Sequence, residues 1–349
     1  MKQTHFGASC GGGELALLAE IRQRAAHAAS LGRKGGLRMG IGDDCALLTP
    51  SRGEELAVTT DLSIDGRHFR LDWHQPEAIG HRVLARGLSD LAAMGARPVA
   101  AFLSLGLPRS LTKAAGRLRA GSRTWVERFL DGFLALAEAC NTPLAGGDLV
   151  ESTLAVADIV LVGAVPRGRA LLRSSAKPGD LLYVTEALGG AAAGLARLSE
   201  LASPVHSNPP RIPKRLKELL APHLYPQPRI TQGLWLQRRR LASAALDLSD
   251  GLSTDLAHLC EESGVAAEVD ATALPIYPAA TLEQALHGGE DYELLFTAPP
   301  AARLPRAIAG VPVTCIGRIL KPRAGRSAMA IISPQGAQPL EPQGWEHFS

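Results

Sequence analysis

Apolar residues recur at helical spacing in several segments of the chain, and short apolar runs lie between those segments. The helical pattern predicts helices over residues 14–28, 76–94, 125–140, 190–199 and 253–263. Apolar or β-branched runs bounded by turn-forming residues predict strands over 45–48, 56–60, 99–107, 154–165, 181–185, 293–297 and 311–316. Because strands and helices alternate, the pattern predicts a mixed α/β fold.

The chain is long enough for two domains. Its 349 residues exceed the usual size of one domain, which is about 100 to 200 residues. Chain-breaking and charged residues concentrate between 166 and 180, so we place the boundary there, with domains 1–165 and 166–349. Prolines and basic residues in 203–228 predict a mobile surface excursion.

Composition excludes several classes of protein. An apolar share of 46% with 20% charged residues is typical of a globular chain. The net charge of +3 and the lack of aromatics among the basic clusters argue against nucleic-acid binding. Five cysteines without a Cys-x-x-Cys pair indicate neither disulfides nor zinc, which predicts a reducing, cytoplasmic compartment. The most apolar run, 154–165, is too short to cross a membrane.

Acidic residues stand where predicted strands meet turns or helices. The motif aspartates are Asp43, Asp44, Asp61, Asp148, Asp247 and Asp250. Asp90 lies near the end of a predicted helix, and Glu290 with Asp291 follows two glycines. Each alone is equally consistent with a helix cap or a turn. Taken together, they predict a functional site at the mouths of loops.

Convergence of these carboxylates would require a cation. Two carboxylates 4 Å apart repel by about 4 kcal/mol at an effective dielectric constant near 20, and protonation or a cation relieves that repulsion. Thr59 and Thr60 add hydroxyl oxygens, and no histidine or cysteine cluster is nearby. Oxygen donors favour Mg²⁺ over zinc, and Mg²⁺ in turn favours a phosphate-bearing substrate.

Glycines beside the aspartates suit the approach of phosphate to the backbone. These glycines are Gly40, Gly42, Gly146, Gly147 and Gly251. The chain has no P-loop, no kinase His-Arg-Asp loop, no Gly-x-Ser-x-Gly elbow and no His-Glu-x-x-His pair. The residues therefore predict a magnesium-dependent enzyme that moves a phosphoryl group from ATP without a P-loop.

Nine motifs spread over nearly the whole chain carry a family resemblance. They are GELALL at 13–18, GIGDD at 40–44, TTD at 59–61, LSDLAAMGA at 88–96, AGGD at 145–148, GRALLRS at 168–174, DLSDGL at 247–252, GGEDYEL at 288–294 and WEHF at 345–348. With them the chain resembles the thiamine-monophosphate kinases, within the aminoimidazole ribonucleotide synthetase superfamily. The resemblance implies a two-domain fold of that superfamily, whose N-terminal domains pair across a shared barrel in a homodimer and whose C-terminal α/β domain is larger.

The resemblance also implies roles for individual residues. The implied magnesium ligands are Asp44, Thr59, Thr60, Asp61, Asp90, Asp148, Asp247 and Asp250. The implied ATP contacts are Gly147, Asp148, Arg173 and Ser249, and the implied contacts to thiamine monophosphate are His68, Glu290 and Trp345. His68 is also explained as a partly buried structural histidine, and Trp345 as a packing residue of the C-terminal segment.

The implied reaction is phosphorylation of thiamine monophosphate by ATP to give thiamine diphosphate. We expect direct in-line transfer, in which no protein residue acts as nucleophile or base. Two alternatives remain at this point. One is another ATP-dependent synthetase of the superfamily, which would be expected to lack the motifs at 288–294 and 345–348. The other is a nucleotide-binding regulator without catalysis.

Overall fold

The computed structural model describes residues 17–18, 20–25, 36–41, 44–112, 123–202, 209–325 and 327–345. Four parts of the sequence-based expectations lie outside these described residues. They are the ends of the first predicted helix, residues Gly42 and Asp43, the segment 203–208, and the last residues of the WEHF motif.

A four-stranded sheet and the helices on one of its faces organise the first half. Residues 17–18 and 20–25 are helical and form α1. The elements that follow are β1 (Leu37–Met39), β2 (Leu47–Leu48), β3 (Glu54–Ile64), α2 (Pro76–Ala93), β4 (Arg97–Leu107), α3 (Arg109–Thr112), α4 (Trp125–Ala139), β5 (Leu144–Glu151) and β6 (Val156–Pro166). Within the described residues the sheet order is β3-β6-β4-β5, with β6 antiparallel to both neighbours and β5 parallel to β4.

Helices α2 and α4 pack against each other through glycines. A Cβ added at Gly80 would lie 2.0 Å from the carbonyl oxygen of Phe129, and one at Gly132 would lie 1.8 Å from that of Glu77. Such distances leave no room for any side chain. Apolar side chains of α2, α4 and β6, such as Leu88, form the main core beside this contact. The position of α2 relative to α4 is therefore fixed by close backbone contact.

The opposite face of this sheet is partly open. Leu56, Val58 and Leu62 on β3 are 44%, 60% and 48% exposed, and Val150 on β5 is 61% exposed. Successive residues of a strand point to opposite faces, so the three β3 side chains share one face. Cross-strand neighbours such as Val162 on β6 and Ala100 on β4 lie on the same face. Strands β1 and β2 cover only part of this face.

A larger sheet forms the second half. Its elements are a 3₁₀ turn (Arg173–Ser175), β7 (Leu181–Thr185), α5 (Gly190–Leu201), a second 3₁₀ turn (Lys214–Leu216), α6 (Lys217–Leu224), α7 (Ile230–Arg239), β8 (Ala244–Asp247), α8 (Leu252–Ser263), β9 (Ala266–Asp270), α9 (Leu282–His287), β10 (Leu294–Ala298), β11 (Ala307–Ile308), β12 (Val311–Leu320), β13 (Met329–Ser333) and β14 (Gly336–Pro339). Among the described residues the order is β14-β13-β9-β12-β7-β10-β8, and β11 pairs with β12. Strand β8 ends at one edge with Asp247.

The strongly periodic elements were predicted well. The strand β7 has the predicted bounds, and α2, α4 and β6 differ from prediction by one or two residues at their ends. The interpretation of 203–228 as a surface excursion is wrong for the described residues from 209 onward. They include α6, whose Leu220 and Leu224 are buried against α5. Apolar side chains at helical spacing outweighed the prolines there.

Two motif aspartates lie inside strands and not at loop mouths. Asp61 lies within β3, which continues to Ile64, and Asp148 lies within β5, which continues to Glu151. The double glycine before Asp148 suggested a turn, but pairing of β5 with β4 keeps the segment extended. Among the helices of the described residues, none is both long and apolar enough to cross a bilayer.

Candidate active site

A cavity of about 520 Å³ lies between the two halves of the chain. Strand β3 and the loop after it, helix α2, the start of α5, helix α6, the loops after β8 and α9, and the C-terminal segment all contribute to its lining. Eight of the sequence-predicted site residues line it: Asp61, His68, Asp90, Asp247, Ser249, Asp250, Glu290 and Trp345. Its volume is in the range of small-molecule sites.

One end of this cavity, here called the acidic end, is built from four aspartates. Asp61 comes from β3, Asp90 from α2, Asp247 from the end of β8, and Asp250 from the loop after β8. Thr59 donates a short hydrogen bond from Oγ1 to Oδ2 of Asp90. The sequence separations show that only the tertiary fold brings these carboxylates together.

Burial and mutual repulsion perturb the carboxyl groups of the acidic end. Burial raises the pKa of Asp90 to about 7, with a further contribution from the charge of Asp247. Burial likewise raises the pKa of Asp247 to about 6. The pKa of Asp61 is raised because burial outweighs the favourable charge of Arg86, whose Nη2 lies 3.2 Å from Asp61 Oδ1. Arg173 lies close enough to oppose the shifts of Asp90 and Asp247 by its charge.

The remaining predicted residues lie elsewhere. Asp44, Gly147 and Asp148 line a second cavity of about 420 Å³, at β4 and β5. Thr60 is exposed on the open face of β3. Gly147 has φ +149°, and a Cβ there would meet the carbonyl oxygen of Leu103 at 1.8 Å, so no other residue fits. A single chain therefore divides the predicted magnesium ligands between two cavities.

The other end of the first cavity, here called the apolar end, combines apolar walls with a few polar groups. Its apolar lining residues are Phe69, Trp73, Ala191, Ala192 and Leu195. His68 accepts a 3.1 Å hydrogen bond at Nδ1 from the backbone N–H of Ile64. Glu290 forms a 2.7 Å ion pair with Arg82. This end suits a largely apolar molecule that carries a positive charge or a hydrogen-bond donor.

Glu290 remains ionised although its side chain is only 25% exposed. Burial alone would raise the pKa of Glu290, but the charge and hydrogen bond of Arg82, with the charge of Arg86, hold that pKa below its ordinary value. Its backbone is in the left-handed region at φ 68°, as is that of Tyr292 at φ 52°. For residues other than glycine, this conformation costs on the order of 1 kcal/mol and persists where surrounding contacts enforce it.

Those enforcing contacts join the loop of Glu290 to the loop of the acidic end. The backbone N–H of Glu290 donates a 2.8 Å hydrogen bond to the carbonyl oxygen of Ser249, and that of Tyr292 donates one of 2.8 Å to Leu248. Asp255 on α8 supports the same loop, because its Oδ2 accepts hydrogen bonds from the N–H groups of Asp250 and Gly251. These hydrogen bonds therefore connect the two loops, both of which line the cavity.

Sequence reasoning missed several residues of the cavity and its walls. They are Arg82, Arg86, His74, His223 and Tyr292. Three charged residues of α2, Arg82, Arg86 and Asp90, are four positions apart and share one face of the helix. That polar stripe on an otherwise apolar helix was visible in the sequence. The two histidines carried no such signal, because they lie 149 positions apart.

Family models and known proteins agree on the relationships of this chain. The model described as AIR synthase related protein, N-terminal domain, matches residues 42–165, and its C-terminal counterpart matches 177–327. The thiamine-monophosphate kinase of Escherichia coli strain K12 is 39% identical over 325 residues, which cover 90% of this chain and 93% of the relative. That of Bacillus subtilis strain 168 is 32% identical over 351 residues, covering 96% and 99%.

Solved structures give the same result. The thiamine-monophosphate kinase from Stenotrophomonas maltophilia K279a superposes with a TM-score of 0.75 at 37% identity, covering 91% of this chain and 96% of that one. A structure described as "AaThiL complexed with AMPPCP and TMP" has a TM-score of 0.70 at 30% identity, covering 99% and 100%. The hydrogenase maturation protein HypE in complex with ATP shares the fold, with a TM-score of 0.71 at 15% identity. The mixed α/β fold expected from the superfamily resemblance is thus confirmed, and this chain belongs to the thiamine-monophosphate kinase family.

Proposed function

We propose that this chain transfers the γ-phosphoryl group of ATP to thiamine monophosphate, giving ADP and thiamine diphosphate. The observation that carries the proposal is the first cavity, whose two ends match the two ends of the substrate. Relatives that cover nearly the whole chain carry the name of this kinase. A structural relative has been described in complex with AMPPCP, a non-hydrolysable ATP analogue, and TMP.

The polarity of the cavity orients the substrate. Thiamine has a cationic thiazolium ring and an aminopyrimidine ring, and both suit the apolar walls and the ionised carboxylate of Glu290. The phosphate would then point toward the acidic end, near Asp90 and Asp250. His68, Glu290 and Trp345 stay the proposed contacts to thiamine monophosphate.

We assign Mg²⁺ ions to the predicted aspartates. Carboxylate oxygens are the donors that this cation prefers. The pKa of Asp90 is raised first by burial and then by the charge of Asp247, and a bound cation would favour the ionised form. Within the described residues no three acidic, histidine or cysteine side chains form a ready metal shell. This agrees with Mg²⁺ chemistry, in which one or two carboxylates share the ion with waters and phosphates. Bound Mg²⁺ would neutralise phosphate charge during transfer.

The transfer itself needs no protein nucleophile or base. A terminal phosphate oxygen of thiamine monophosphate, already ionised near neutral pH, attacks the γ-phosphorus of ATP. A new P–O bond forms while the bond from that phosphorus to the β–γ bridging oxygen breaks, and ADP leaves with the electron pair. The protein residues hold the two phosphates in line, and Arg173 adds positive charge near the acidic end.

The second cavity is assigned to the nucleotide side of the reaction. Gly147 lets the backbone approach a phosphate closely, and Asp44 and Asp148 supply further oxygen ligands. Ser249 and Arg173 are the proposed ATP contacts from the second half. Thr59 and Thr60 remain proposed hydroxyl ligands, although Thr59 already donates to Asp90. The division into domains 1–165 and 166–349 and the cytoplasmic location stay predictions.

We also propose that the protein is a homodimer. The open face of β3 exposes Leu56, Val58 and Leu62, and exposed apolar groups that share one face favour association. A second copy would bring an identical face, as in a symmetric dimer. The pairing implied by the family resemblance uses the same N-terminal domain.

One assay tests the proposed function against its alternatives. We expect ADP release when ATP and Mg²⁺ are supplied with thiamine monophosphate, in equal amount to thiamine diphosphate formed. Thiamine and thiamine diphosphate should give little or no release. A synthetase of the superfamily would instead release ADP only with a ribonucleotide substrate. ATP binding with no release under any of these conditions would support a regulator and contradict the proposal.

A further inference from the structure

Arg82 connects two of the three substrate-binding residues proposed from the sequence, His68 and Glu290, although it does not line the cavity. Its side chain is 5% exposed on helix α2. One guanidinium nitrogen, Nη2, donates hydrogen bonds of 2.7 Å to Glu290 Oε1 and 3.1 Å to the carbonyl oxygen of His68. The other, Nη1, donates to the carbonyl oxygen of His223 and to its Nδ1. The buried guanidinium group of Arg82 therefore connects the three segments that contain His68, His223 and Glu290.

The tautomer of His223, behind Arg82, follows from its contact with the guanidinium. An arginine can only donate, so Nδ1 of His223 accepts and the ring proton lies on Nε2. That nitrogen lies 2.9 Å from Nε2 of His74, whose Nδ1 lies 3.1 Å from the backbone nitrogen and 3.2 Å from the carbonyl oxygen of Arg70. Burial lowers the pKa of both histidines, that of His74 to about 4. Both rings are neutral, so Glu290 is the direct ionic partner of Arg82.

The backbone of Glu290 is fixed separately from its side chain. Hydrogen bonds to Ser249 and Leu248 hold the strained loop, and they do not involve the carboxylate. The loop alone leaves the side-chain torsions of Glu290 undetermined. Arg82 supplies a constraint on that side chain through the ion pair from Nη2 to Oε1, and the guanidinium is itself held by three further hydrogen bonds to His68 and His223.

We propose that Arg82 is a positioning residue, which fixes the carboxylate of Glu290 and the segment of His68 at the spacing that thiamine monophosphate requires. This inference rests on the proposed function. It assigns no contact between Arg82 and the substrate. Its consequence is that Arg82 governs the affinity for thiamine monophosphate and leaves that for ATP nearly unchanged.

The first experiment compares Arg82→Lys with a matched control. Lysine keeps the charge but has no fork, so it cannot hold Glu290, His68 and His223 together. We expect the KM for thiamine monophosphate to rise about tenfold or more, with the KM for ATP and kcat within about threefold of wild type. The control is Arg229→Lys, which alters another buried arginine–glutamate ion pair. Its partner Glu293 belongs to the same GGEDYEL motif as Glu290, but neither Arg229 nor Glu293 lines the cavity. An equal rise in the control would reduce Arg82 to a structural role and overturn the proposal.

A double-mutant cycle with Glu290→Gln tests whether Arg82 acts through Glu290. In the Glu290→Gln background, adding Arg82→Lys should change the KM for thiamine monophosphate by less than about threefold, because the positioned group is already lost. If the rise in KM of the double variant equals the product of the rises of the two single variants, the proposal is contradicted. Wild-type enzyme without activity on thiamine monophosphate would instead refute the proposed function, which separates the two failures.

A second pair of variants applies if Arg82→Lys does not fold. His223→Leu removes the Nδ1 acceptor of Arg82 Nη1, so the guanidinium that contacts Glu290 is held less firmly. His223→Asn can restore an acceptor near the position of Nδ1. We expect His223→Leu to raise the KM for thiamine monophosphate and His223→Asn to restore it to within about threefold of wild type. Equal values for the two variants would contradict the proposal.

Discussion

The backbone N–H of Trp345 donates a 3.1 Å hydrogen bond to the carbonyl oxygen of Asp250. The neighbouring Gly344 donates a 3.0 Å hydrogen bond to Thr254 Oγ1, so the C-terminal segment is attached both to the loop after β8 and to the start of α8. The indole of Trp345 lines the same cavity and is half-exposed. This attachment places a flat aromatic ring beside the proposed site for a cationic substrate.

Replacement of Trp345 should therefore weaken binding of thiamine monophosphate. A cation over an aromatic face contributes about 0.5 to 2 kcal/mol, so Trp345→Ala should raise the KM for thiamine monophosphate by about tenfold. Trp345→Phe keeps a flat ring and should stay within about threefold of wild type. Steady-state kinetics at saturating ATP give both values. Equal KM values for the alanine and phenylalanine variants would show that the ring does not contact substrate.

Removal of the charge of Asp90 should slow the reaction at saturating Mg²⁺. Asparagine keeps the shape and can still accept the hydrogen bond of Thr59, so Asp90→Asn tests the charge alone. We expect kcat to fall more than about tenfold, equivalent to about 1.4 kcal/mol. Asp131→Asn on α4 is a control outside both cavities, with activity near wild type. A smaller loss at Asp90 would contradict its role as a metal ligand.

Asp255 should act as a support for the loop of the acidic end. Its Oδ2 lies 3.0 Å and 3.1 Å from the N–H groups of Asp250 and Gly251, and burial raises its pKa to about 8. Because the carboxyl group of Asp255 is then mostly neutral near pH 7, asparagine provides a similar neutral hydrogen-bond acceptor. Asp255→Ala leaves two N–H groups unpaired, at about 1 to 3 kcal/mol each if they stay dry.

The two Asp255 variants should accordingly differ in activity and in melting temperature. Asp255→Asn should stay within about threefold of wild-type kcat, whereas Asp255→Ala should lose about tenfold or more and melt earlier. Thermal unfolding and initial rates measure the two effects. A fully active alanine variant would show that the loop keeps its position without Asp255.

Acid should destabilise the fold through the buried histidine pair. The pKa of His74 is lowered from 6.5 to about 4 by burial, so below pH 6.5 the unfolded chain binds the proton first. Stability from this residue is complete above pH 6.5 and is lost as pH falls toward 4, by up to about 1.4 kcal/mol per pH unit.

The histidine effect is measured as a difference, because buried aspartates with raised pKa values have the opposite pH dependence. Urea unfolding of wild type and His74→Gln between pH 7.5 and 5 gives the two slopes. We expect the loss of stability with acid to be steeper in wild type than in His74→Gln. Parallel curves would mean that His74 is protonated in the folded protein.

A charge on the open face of β3 should separate the proposed dimer. Val58 is 60% exposed at the centre of that face, and Val58→Glu places a carboxylate against its symmetry mate or another apolar group. We expect wild type to sediment as a dimer and Val58→Glu as a monomer. Leu282→Glu, at an exposed leucine of α9, should remain dimeric. A wild-type monomer at micromolar concentration would refute the proposed interface.

Local patterns predicted the fold to the extent that each element carried its own signal. Helices α2 and α4 have continuous apolar faces, and β7 is a short isolated run, so their predicted bounds agree with the structure. Strand β5 was missed because Gly146 and Gly147 are poor strand formers. Its conformation comes from pairing with β4, which is a long-range interaction.

The site was predictable only in part for a similar reason. Motif aspartates marked the acidic end, because Asp61, Asp90 and the pair Asp247 and Asp250 come from three separate motifs that the structure brings to one cavity. The position of Asp148 in another cavity depends on sheet order, which periodicity does not reveal. Arg82 belongs to a local polar stripe on α2, but its partner Glu290 lies 208 positions away, so the stripe alone did not reveal this contact.

Helix α2 also determines how long a molecule must be to reach both ends of the cavity. Arg82 and Asp90 are eight residues apart, so at 1.5 Å per residue their positions differ by about 12 Å along the helix axis. Both residues belong to one continuous helix, so movement of the helix as a whole would not change that length. A substrate lacking its phosphate would engage the carboxylate held by Arg82 and fall short of the aspartates, so chain length alone would distinguish thiamine from its monophosphate.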